Sequence, residues 1–462
     1  MLTREEEAEA MQTNTREARR ALGRQARNTF GRIAQATWNP KLRKSSPVEL
    51  LNQSERGRVA NLLPEKHKRM SVSPFTYYRG AAPVMAEDLS LTPNTGLTAQ
   101  LCGDAHVYNM GSFTAPDGRI VFDINDFDET IPGPWEWDVK RMATSIVLAG
   151  REAGASELRC KDAVLAFVRS YRETMRELSE LPVIELARYQ VLRHPKTSPI
   201  HSVLRRAQLS TNTQAFEKLA KHEDGRYILK QDRVSSVVAK KLQQGIHDYS
   251  LHLLPERRHF FRQYRVEDVG FRVVGCGSVG MRDYIVLMLG GASDDPLLLQ
   301  VKEETHSTYT AYLPDARVPE NQGQRVAEGQ RAMQLQSDIF LGWTSLEGRD
   351  YLVRQLRDHK ASIADEDLKG NGLCQYAEIC GELLAKGHAR SGDPSAVFGY
   401  LGFGNKFDKA IAKFAELYAD QTTKDYESFK RSIGSSKNRK TGAHSRRNAG
   451  TTKAKTRAAS AH

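Results

Sequence analysis

The feature that most constrains the fold is a glycine loop between two segments of strand-forming residues. The loop, Gly275-Cys-Gly277-Ser-Val-Gly280, fits the pattern G-x-G-x-x-G. In a dinucleotide-binding fold the third glycine opens a helix. Here the residues that follow, 283–289, are rich in β-formers and lack helical periodicity. The pattern therefore argues against that fold and predicts a glycine loop that joins two antiparallel strands, with a plain hairpin turn as the alternative.

The glycine loop belongs to a strand-rich region inside a mostly helical chain. Strands are predicted over 271–274, 283–289 and 296–302, and residues 351–356 have the apolar character of a further strand. Periodicity predicts helices over 137–154, 155–181, 321–337 and 372–390, and residues 182–260 read as mostly helical. The expected fold class is therefore α+β, with a small antiparallel sheet lobe and a larger helical lobe.

A lysine and a downstream carboxylate extend the glycine-loop pattern. Lys302 ends an apolar strand one hairpin after the loop, where its amine would offer a compact positive charge to phosphate oxygens. A lysine at a strand end with its head in water is the alternative. Glu328, in the helix that follows, is the candidate to orient Lys302, with Glu320 as the rival and an ordinary exposed glutamate as a third interpretation.

A second constellation lies near the other end of the chain, in Leu101-Cys-Gly-Asp104-Ala-His106-Val-Tyr-Asn109. A carboxylate such as Asp104 can orient or accept the proton of an acceptor hydroxyl, and an amide oxygen five residues later can hold a metal ion. His106 is expected to stabilise the loop rather than to react.

An acidic cluster follows, in Ile120-Val-Phe-Asp123-Ile-Asn-Asp126-Phe-Asp128-Glu129. An apolar strand that ends in aspartate suits magnesium, which takes one or two carboxylates together with phosphates and water. The spacing from Asn109 favours Asp123 as the ligand, the Asp-Phe dipeptide favours Asp126, and a solvated acidic turn is the alternative to both. Arg79, in Tyr78-Arg79-Gly80, could reach a phosphate or pair with this cluster.

These motifs resemble those of phosphotransferases. A glycine loop between antiparallel strands, followed by a strand lysine, resembles the arrangement of protein kinases. Residues 103–109 resemble the G-D-x-H-x-x-N loop of aminoglycoside and choline kinase-like enzymes. The resemblance implies a protein-kinase-like two-lobed fold that binds ATP and Mg²⁺. It implies catalytic roles for Asp104, Lys302 and Glu328, metal ligation by Asn109 with Asp123 or Asp126, and nucleotide contacts from Gly275, Gly277, Ser278, Gly280, Lys302 and Arg79.

The order of the motifs differs from that of ordinary kinases, because the glycine loop follows the Asp104 motif by more than a hundred residues. The segment 380–389 resembles the Leu-Ala-x-x-His helix that precedes the catalytic loop in aminoglycoside kinases. All parts therefore occur in cyclic order, which indicates a circular permutation; an accidental match is the alternative. Permutation is physically tolerable because chain ends often lie close together on a domain surface.

The chain from about 51 to 429 also resembles an uncharacterised bacterial family, domain of unknown function 2252, which is grouped with the protein-kinase-like clan. Long motifs carry this resemblance: Tyr78-Arg-Gly80, Cys102 to Asn109, Phe122 to Glu129, Pro132 to Asp138, Gly275 to Gly280, Gln300-Val-Lys302, Gly329-Gln330 and His388 to Asp393.

The expected organisation has five parts, since 462 residues exceed what one hydrophobic core usually supports. They are an N-terminal helical region (1–70), a catalytic-loop and helical lobe (71–260), a glycine-loop nucleotide-binding lobe (261–360), helices that return to the helical lobe (361–430) and a disordered basic tail (431–462). The tail holds nine Lys or Arg and no acid, so it accounts for most of the net charge of +12. A solvated tail is the favoured interpretation, and if the tail binds anything, nucleic acid or another polyanion is the natural partner.

The functional expectation is an ATP- and Mg²⁺-dependent phosphotransferase that acts on a hydroxyl acceptor, with a small molecule favoured over a protein. Nucleotide binding without transfer, nucleotidyl transfer, and a polyanion-binding adaptor are the alternatives. Neither a secretory signal nor a membrane span is apparent, and the five widely spaced cysteines form no C-x-x-C pair, so the cytoplasm is the expected location.

Overall fold

The computed structural model describes residues 15–191, 199–209, 212–224, 226–273, 275, 277–292, 295–356 and 361–457, with side chains described up to residue 434 apart from those of 212–215. The α-helices are α1 (Arg16–Thr29), α2 (Pro47–Ser54), α3 (Leu63–Met70), α4 (Pro74–Gly80), α5 (Ala82–Ser90), α6 (Trp135–Glu152), α7 (Glu157–Glu180), α8 (Val183–Arg188), α9 (Pro199–Leu209), α10 (Asn212–Leu219), α11 (Ser236–His252), α12 (Pro255–Phe261), α13 (Gln322–Met333), α14 (Gly372–Ser391), α15 (Pro394–Leu401) and α16 (Lys406–Arg457). The strands are β1 (Thr98–Leu101), β2 (Met110–Thr114), β3 (Ile120–Ile124), β4 (Ile131–Pro134), β5 (Ala220–Glu223), β6 (Arg226–Leu229), β7 (Asp232–Arg233), β8 (Arg265–Arg272), β9 (Asp283–Leu289), β10 (Pro296–Glu304), β11 (Gly342–Leu346) and β12 (Arg349–Gln355). The α+β class is confirmed.

The principal sheet has six strands in the order β11-β12-β10-β9-β8-β7, and its mapped strand pairs are antiparallel. Three smaller antiparallel pairs, β1 with β4, β2 with β3 and β5 with β6, complete the strands of the described residues. The central strands β9 and β10 are buried along almost their whole length, which agrees with their continuous apolar sequence. Lys302 of β10 lies opposite Asp283 on one side and Leu352 on the other.

Local sequence signals account for several element boundaries. At the start of α2, Ser46 and Glu49 form the capping box expected from their spacing, with Glu49 N donating to Ser46 Oγ at 3.2 Å and Ser46 N to Glu49 Oε2 at 2.8 Å. The predicted strand 283–289 has the bounds of β9, and the predicted strand 296–302 is β10 with two further residues.

The two largest hydrophobic clusters of the described residues lie in different parts of the molecule. The larger one belongs to the helices and contains α6, α7, α14 and α16, among which Trp135 and Tyr171 stack with 5.6 Å between ring centroids. The second covers one face of the principal sheet, where Leu299 and Val301 pack against Tyr249 of α11. The helix α13 packs on the opposite face, beside Leu352, and so links the sheet to the helical core.

The region 182–260 is less helical than predicted, because β5, β6 and β7 occupy residues 220–233. Glu223 pairs with Arg226 across a two-residue connection that contains Asp224-Gly225, a dipeptide typical of tight hairpins. Ala220 and Leu229 pack against Leu287 of the sheet. The sheet lobe therefore begins near residue 220 rather than at the predicted boundary of 261.

The C-terminal segment contains the last helix of the described residues. The helix α16 extends to Arg457 and includes most of 431–462, which the composition predicts to be disordered; residues 458–462 lie outside the described residues. No proline occurs in this segment to end the helix. In the described ranges no helix combines the length and the apolar character needed to cross a membrane.

Candidate active site between the sheet and the helical lobe

A cleft of about 990 Å³ separates the principal sheet from the helical lobe. Three segments that are remote in sequence meet there: the Asp104 loop (101–109), the acidic loop (123–129) and the glycine loop (275–280). The predicted site residues that line the cleft are Arg79, Asp104, Asp126, Gly275, Gly277, Ser278 and Lys302. Its volume is at the upper end of the range of small-molecule sites, roughly 300–1,000 Å³.

Side chains of the helices α6 and α14 hold the backbone of the Asp104 loop in place. Gly103 has φ +83°, and a Cβ atom there would lie 2.2 Å from the carbonyl oxygen of Glu129, so only glycine fits. The carboxylate of Asp138 accepts hydrogen bonds from the backbone N–H groups of Cys102 (2.7 Å) and Gly103 (3.0 Å). His388 of α14 lies 3.3 Å from that carboxylate, which ties the loop to a helix residue 250 positions after Asp138.

The two carboxylate oxygens of Asp104 have different neighbours, Arg141 at Oδ1 and His106 at Oδ2. Arg141, which is fully buried on α6, donates to Oδ1 from Nε at 2.8 Å and also from Nη2. Burial would lower the pKa of Arg141, but Asp104 and Tyr78 hold the pKa above its ordinary value, so this arginine remains a cation. Oδ2 of Asp104 lies 3.7 Å from Nε2 of His106. Burial lowers the pKa of His106 to about 4, and the ring is therefore neutral near pH 7.

Asn109 bridges the Asp104 loop and the acidic loop. Its amide nitrogen donates to the carbonyl oxygens of Asp104 (2.9 Å) and Asp126 (3.0 Å), and these two acceptors fix the orientation of the amide. The amide oxygen is buried and has no hydrogen-bond partner among the described residues. Asn109 thus offers one uncommitted oxygen ligand close to the acidic loop.

The structure separates the two aspartates that the sequence leaves as alternatives. Asp123 is buried outside the cleft lining and contacts the ammonium group of Lys386, which is itself buried on α14. Asp126 lines the cleft, as does Asp128, which was not singled out from the sequence. Asp128 Oδ1 is buried and has no hydrogen-bond partner among the described residues. The buried side-chain oxygens near the acidic loop that have no hydrogen-bond partner among the described residues are therefore those of Asn109 and Asp128.

Lys302 reaches from the sheet to the acidic loop. Its ammonium group contacts Asp128 Oδ2 and lies 3.7 Å from Glu304 Oε1. Burial alone would lower the pKa of Lys302, but these two carboxylates outweigh it and raise the pKa above the ordinary value. Burial raises the pKa of Glu304 well above its usual range, and the negative charge of Asp128 raises it further. Lys302 is therefore a fixed positive charge in the cleft.

Glu328 does not take the position predicted for it. Its side chain is exposed on α13 and accepts a hydrogen bond from Gln324 at 2.7 Å, and Glu320 is exposed as well. The carboxylates beside Lys302 are instead Asp128 and Glu304. The helix α13 reaches the acidic loop through Arg325, whose guanidinium donates to the carbonyl oxygens of Asp128 (2.8 Å) and Thr130 (2.6 Å).

The glycine loop lines the cleft through Gly275, Gly277 and Ser278. Gly275 and Gly280 have φ of +79° and +93°, conformations that favour glycine. Gly280 lies outside the cleft lining, and Val274 and Cys276 lie outside the described residues. No residue of the further strand predicted over 351–356 lines the cleft, and residues 357–360, which follow it, lie outside the described residues.

Arg79 lies where the glycine loop meets the Asp104 loop. Its guanidinium carbon is 5.3 Å from the centre of the Tyr108 ring, and its backbone oxygen is near Gly277. Among the described residues no carboxylate lies within 4 Å of Arg79, and its Nε is buried without a hydrogen-bond partner. The predicted pairing of Arg79 with the acidic cluster is therefore not formed, and the guanidinium is available to an anion.

Sequence reasoning missed four residues of this site: Asp128, Arg141, Glu304 and Arg58. A signal existed for Arg141, which follows Asp138 by three residues and so lies near the same face of α6. Asp128 belongs to the acidic cluster 120–129, and Glu304 follows Lys302 by two residues. No local signal identifies Arg58, because its partners in the glycine loop are 219 and 221 residues away.

Residues 58–432 match a family described as an uncharacterised protein conserved in bacteria, DUF2252. The chain belongs to this family. The match includes the Asp104 loop, the acidic loop, the glycine loop and Lys302, so the whole cleft is made by family sequence apart from its first residues, 54–57. No curated protein and no solved structure matches the chain.

Proposed function

We propose that this DUF2252 member is an ATP- and Mg²⁺-dependent phosphotransferase that acts on the hydroxyl group of a small molecule. One observation carries the proposal. A lysine from the sheet, an aspartate loop from the helical lobe and a glycine loop line a single cleft, although more than 170 residues separate Lys302 from Asp104 and Asp128. Phosphoryl transfer depends on this combination of positive charge, oxygen ligands and close backbone approach.

The order of elements in the sheet supports a kinase-like arrangement. Counting from the strand before the glycine loop, Lys302 lies on the third strand, β10, as the nucleotide lysine does in protein kinases. A helix, α13, and the paired strands β11 and β12 follow. The contact of His388 with Asp138 supports circular permutation, since it brings the helix 372–391 against the loop that it would precede in an unpermuted chain.

The contacts of four residues indicate their roles in phosphoryl transfer. Arg141 holds Asp104 through Oδ1, which leaves Oδ2 to orient the acceptor hydroxyl and accept its proton. Lys302 neutralises phosphate oxygens, and Arg79 offers a second, unpaired cation beside the glycine loop. Catalysis comes from positioning and charge neutralisation, without a covalent enzyme intermediate.

The residues near the acidic loop fit a magnesium ion. Among the described residues, no group of three or more His, Cys, Asp or Glu side chains could hold a metal without help. Magnesium needs less than that, because it binds through one or two carboxylates plus phosphates and water. Asn109 Oδ1 and Asp128 Oδ1 are buried oxygens without partners, and Asp126 adds a carboxylate. Magnesium bound there would neutralise charge on the transferred phosphoryl group.

The test is turnover of MgATP by the purified protein with pools of hydroxylated small molecules. Asp104→Asn keeps the size of the side chain, and we expect it to reduce phosphoryl transfer about 100-fold or more. Asp117→Asn is the matched control, since Asp117 is an exposed aspartate in the turn between β2 and β3. Equal turnover by wild type and Asp104→Asn would exclude the proposed role.

Labelling ATP at two positions separates the alternatives. Transfer of a label from the γ-phosphate supports the proposal, and transfer from the α-phosphate would identify a nucleotidyl transferase instead. Tight MgATP binding without transfer to any acceptor would indicate a nucleotide-binding protein. The acceptor molecule is then identified from the labelled product.

A further inference from the structure

The glycine loop is held from outside the sheet by the segment 54–70, here named the N-terminal strap. Arg58 Nη1 donates to the carbonyl oxygens of Gly277 and Val279, both at 2.7 Å, and Val59 N donates to the carbonyl oxygen of Gly280 at 2.7 Å. Arg69 Nη1 donates to the carbonyl oxygen of Gly275 at 2.6 Å. The strap therefore satisfies four backbone acceptors of a loop that would otherwise present negative dipole ends to a phosphate.

Arg58 differs from Arg69 because it also lines the cleft. Its Nε donates to the carbonyl oxygen of Ser54 at 3.2 Å and its Nη1 is used by the loop, while Nη2 has no hydrogen-bond partner among the described residues. No ion pair within 4 Å joins the guanidinium to a carboxylate of those residues, and the negative charges that act on it from further away include those of Glu129, Glu55 and Asp128. Burial of this unpaired cation lowers its pKa, so an anion at Nη2 would stabilise it.

We propose that Arg58 is a phosphate-binding residue of the nucleotide site, with Nη1 shaping the glycine loop and Nη2 contacting a phosphate oxygen. This inference rests on the proposed function. A guanidinium suits such a double task because it presents five donors in a fixed plane, whereas an ammonium group is a point charge. The N-terminal strap is then part of the nucleotide site, although it precedes the Asp104 loop in sequence.

Isothermal titration of the full chain with MgATP and with adenosine tests the proposal. We expect Arg58→Gln to weaken MgATP binding roughly 10- to 100-fold, as for loss of a charged hydrogen bond, and to leave adenosine binding unchanged. Arg69→Gln is the matched comparison, because Arg69 holds the same loop without lining the cleft; a smaller loss is expected. Arg58→Lys should recover part of the MgATP affinity through its charge.

Three results would contradict these proposals. MgATP affinity within twofold of wild type in Arg58→Gln, or equal losses in Arg58→Gln and Arg69→Gln, would overturn the role of Arg58 at the phosphate and leave the proposed function in place. A wild-type protein that binds no MgATP would overturn the proposed function itself.

A measurement on the unmodified sequence covers the case in which Arg58→Gln does not fold. Phenylglyoxal modifies accessible guanidinium groups, and peptide mass spectrometry locates the modified arginines. Tripolyphosphate with Mg²⁺ should protect Arg58 at least several-fold, while adenosine should not. Equal modification of Arg58 with and without tripolyphosphate would overturn the inference.

Discussion

The acidic loop forms two aspartate–lysine pairs of the same chemistry in different surroundings. Asp123 meets Lys386 inside the helical core, where the two side chains are 6% and 1% exposed. Asp128 meets Lys302 at the cleft, where the aspartate is 23% exposed. We assign the buried pair a structural role, because no ligand can reach either side chain inside the core. The second pair borders a cavity, so under the proposed function its lysine would exchange the carboxylate for a phosphate.

The largest expected effect is the loss of one partner in the core pair. Lys386→Met leaves Asp123 buried and uncompensated, and we expect about 3–5 kcal/mol of lost stability in chemical denaturation. The double variant Asp123→Asn/Lys386→Met should lose less than the sum of the single losses, since it removes both charges. Additive losses would show that the two side chains do not interact.

For the pair of Lys302 and Asp128 we expect a smaller loss of stability and a large loss of turnover. Lys302→Met should lower MgATP-dependent turnover roughly 100-fold or more, because a preorganised charge opposite the phosphates is removed. Its stability should fall less than that of Lys386→Met, since the raised pKa values of Asp128 and Glu304 allow a proton to replace the lysine charge. A stability loss as great as that of Lys386→Met would remove the distinction between the two pairs.

A third buried lysine, which has no carboxylate within 4 Å among the described residues, sharpens the comparison. Lys140 lies against the rings of Phe30 (5.4 Å) and Phe414 (4.9 Å), and burial lowers its pKa to about 8. The pKa of Lys140 is lower in the folded protein than in the unfolded chain. The free energy of unfolding therefore decreases as pH falls from about 10.5 to 8, by roughly 3 kcal/mol at 1.36 kcal/mol per pKa unit.

Lys140→Met should therefore be more stable than wild type at pH 7, by up to about 2 kcal/mol once the lost cation–π contacts are subtracted. Chemical denaturation of both proteins between pH 7 and pH 10 measures the difference, which should shrink as pH rises. A constant difference across this range would mean that Lys140 is not the titrating group.

The smallest effect is expected at Glu328. Its side chain is exposed and distant from Lys302, so Glu328→Ala should change turnover less than twofold and stability by less than about 0.5 kcal/mol. A loss comparable to that of Lys302→Met would restore Glu328 to the site and contradict the assignment of Asp128 and Glu304 as the partners of Lys302.

The sequence by itself determined the local structure and the types of residue at the site. Continuous β-formers set β9 and β10, Ser46 and Glu49 set the start of α2, and Gly103 and Asp104 marked the loop that lines the cleft. These features depend on neighbours within a few residues. The hairpin at 220–229 had the same kind of signal in Asp224-Gly225, and it was missed because the surrounding residues read as helical.

Only the tertiary structure decided which acidic residues face the cleft and which cations meet them. Asp123 and Asp128 stand five residues apart in one motif, but Lys386 and Lys302 approach them from 263 and 174 residues away. Glu328 and Arg325 belong to one helix, and the packing of α13 on the sheet decides which of them is buried. Electrostatic pairing depends on distance in space and on burial, and neither quantity is contained in the spacing of residues along a chain.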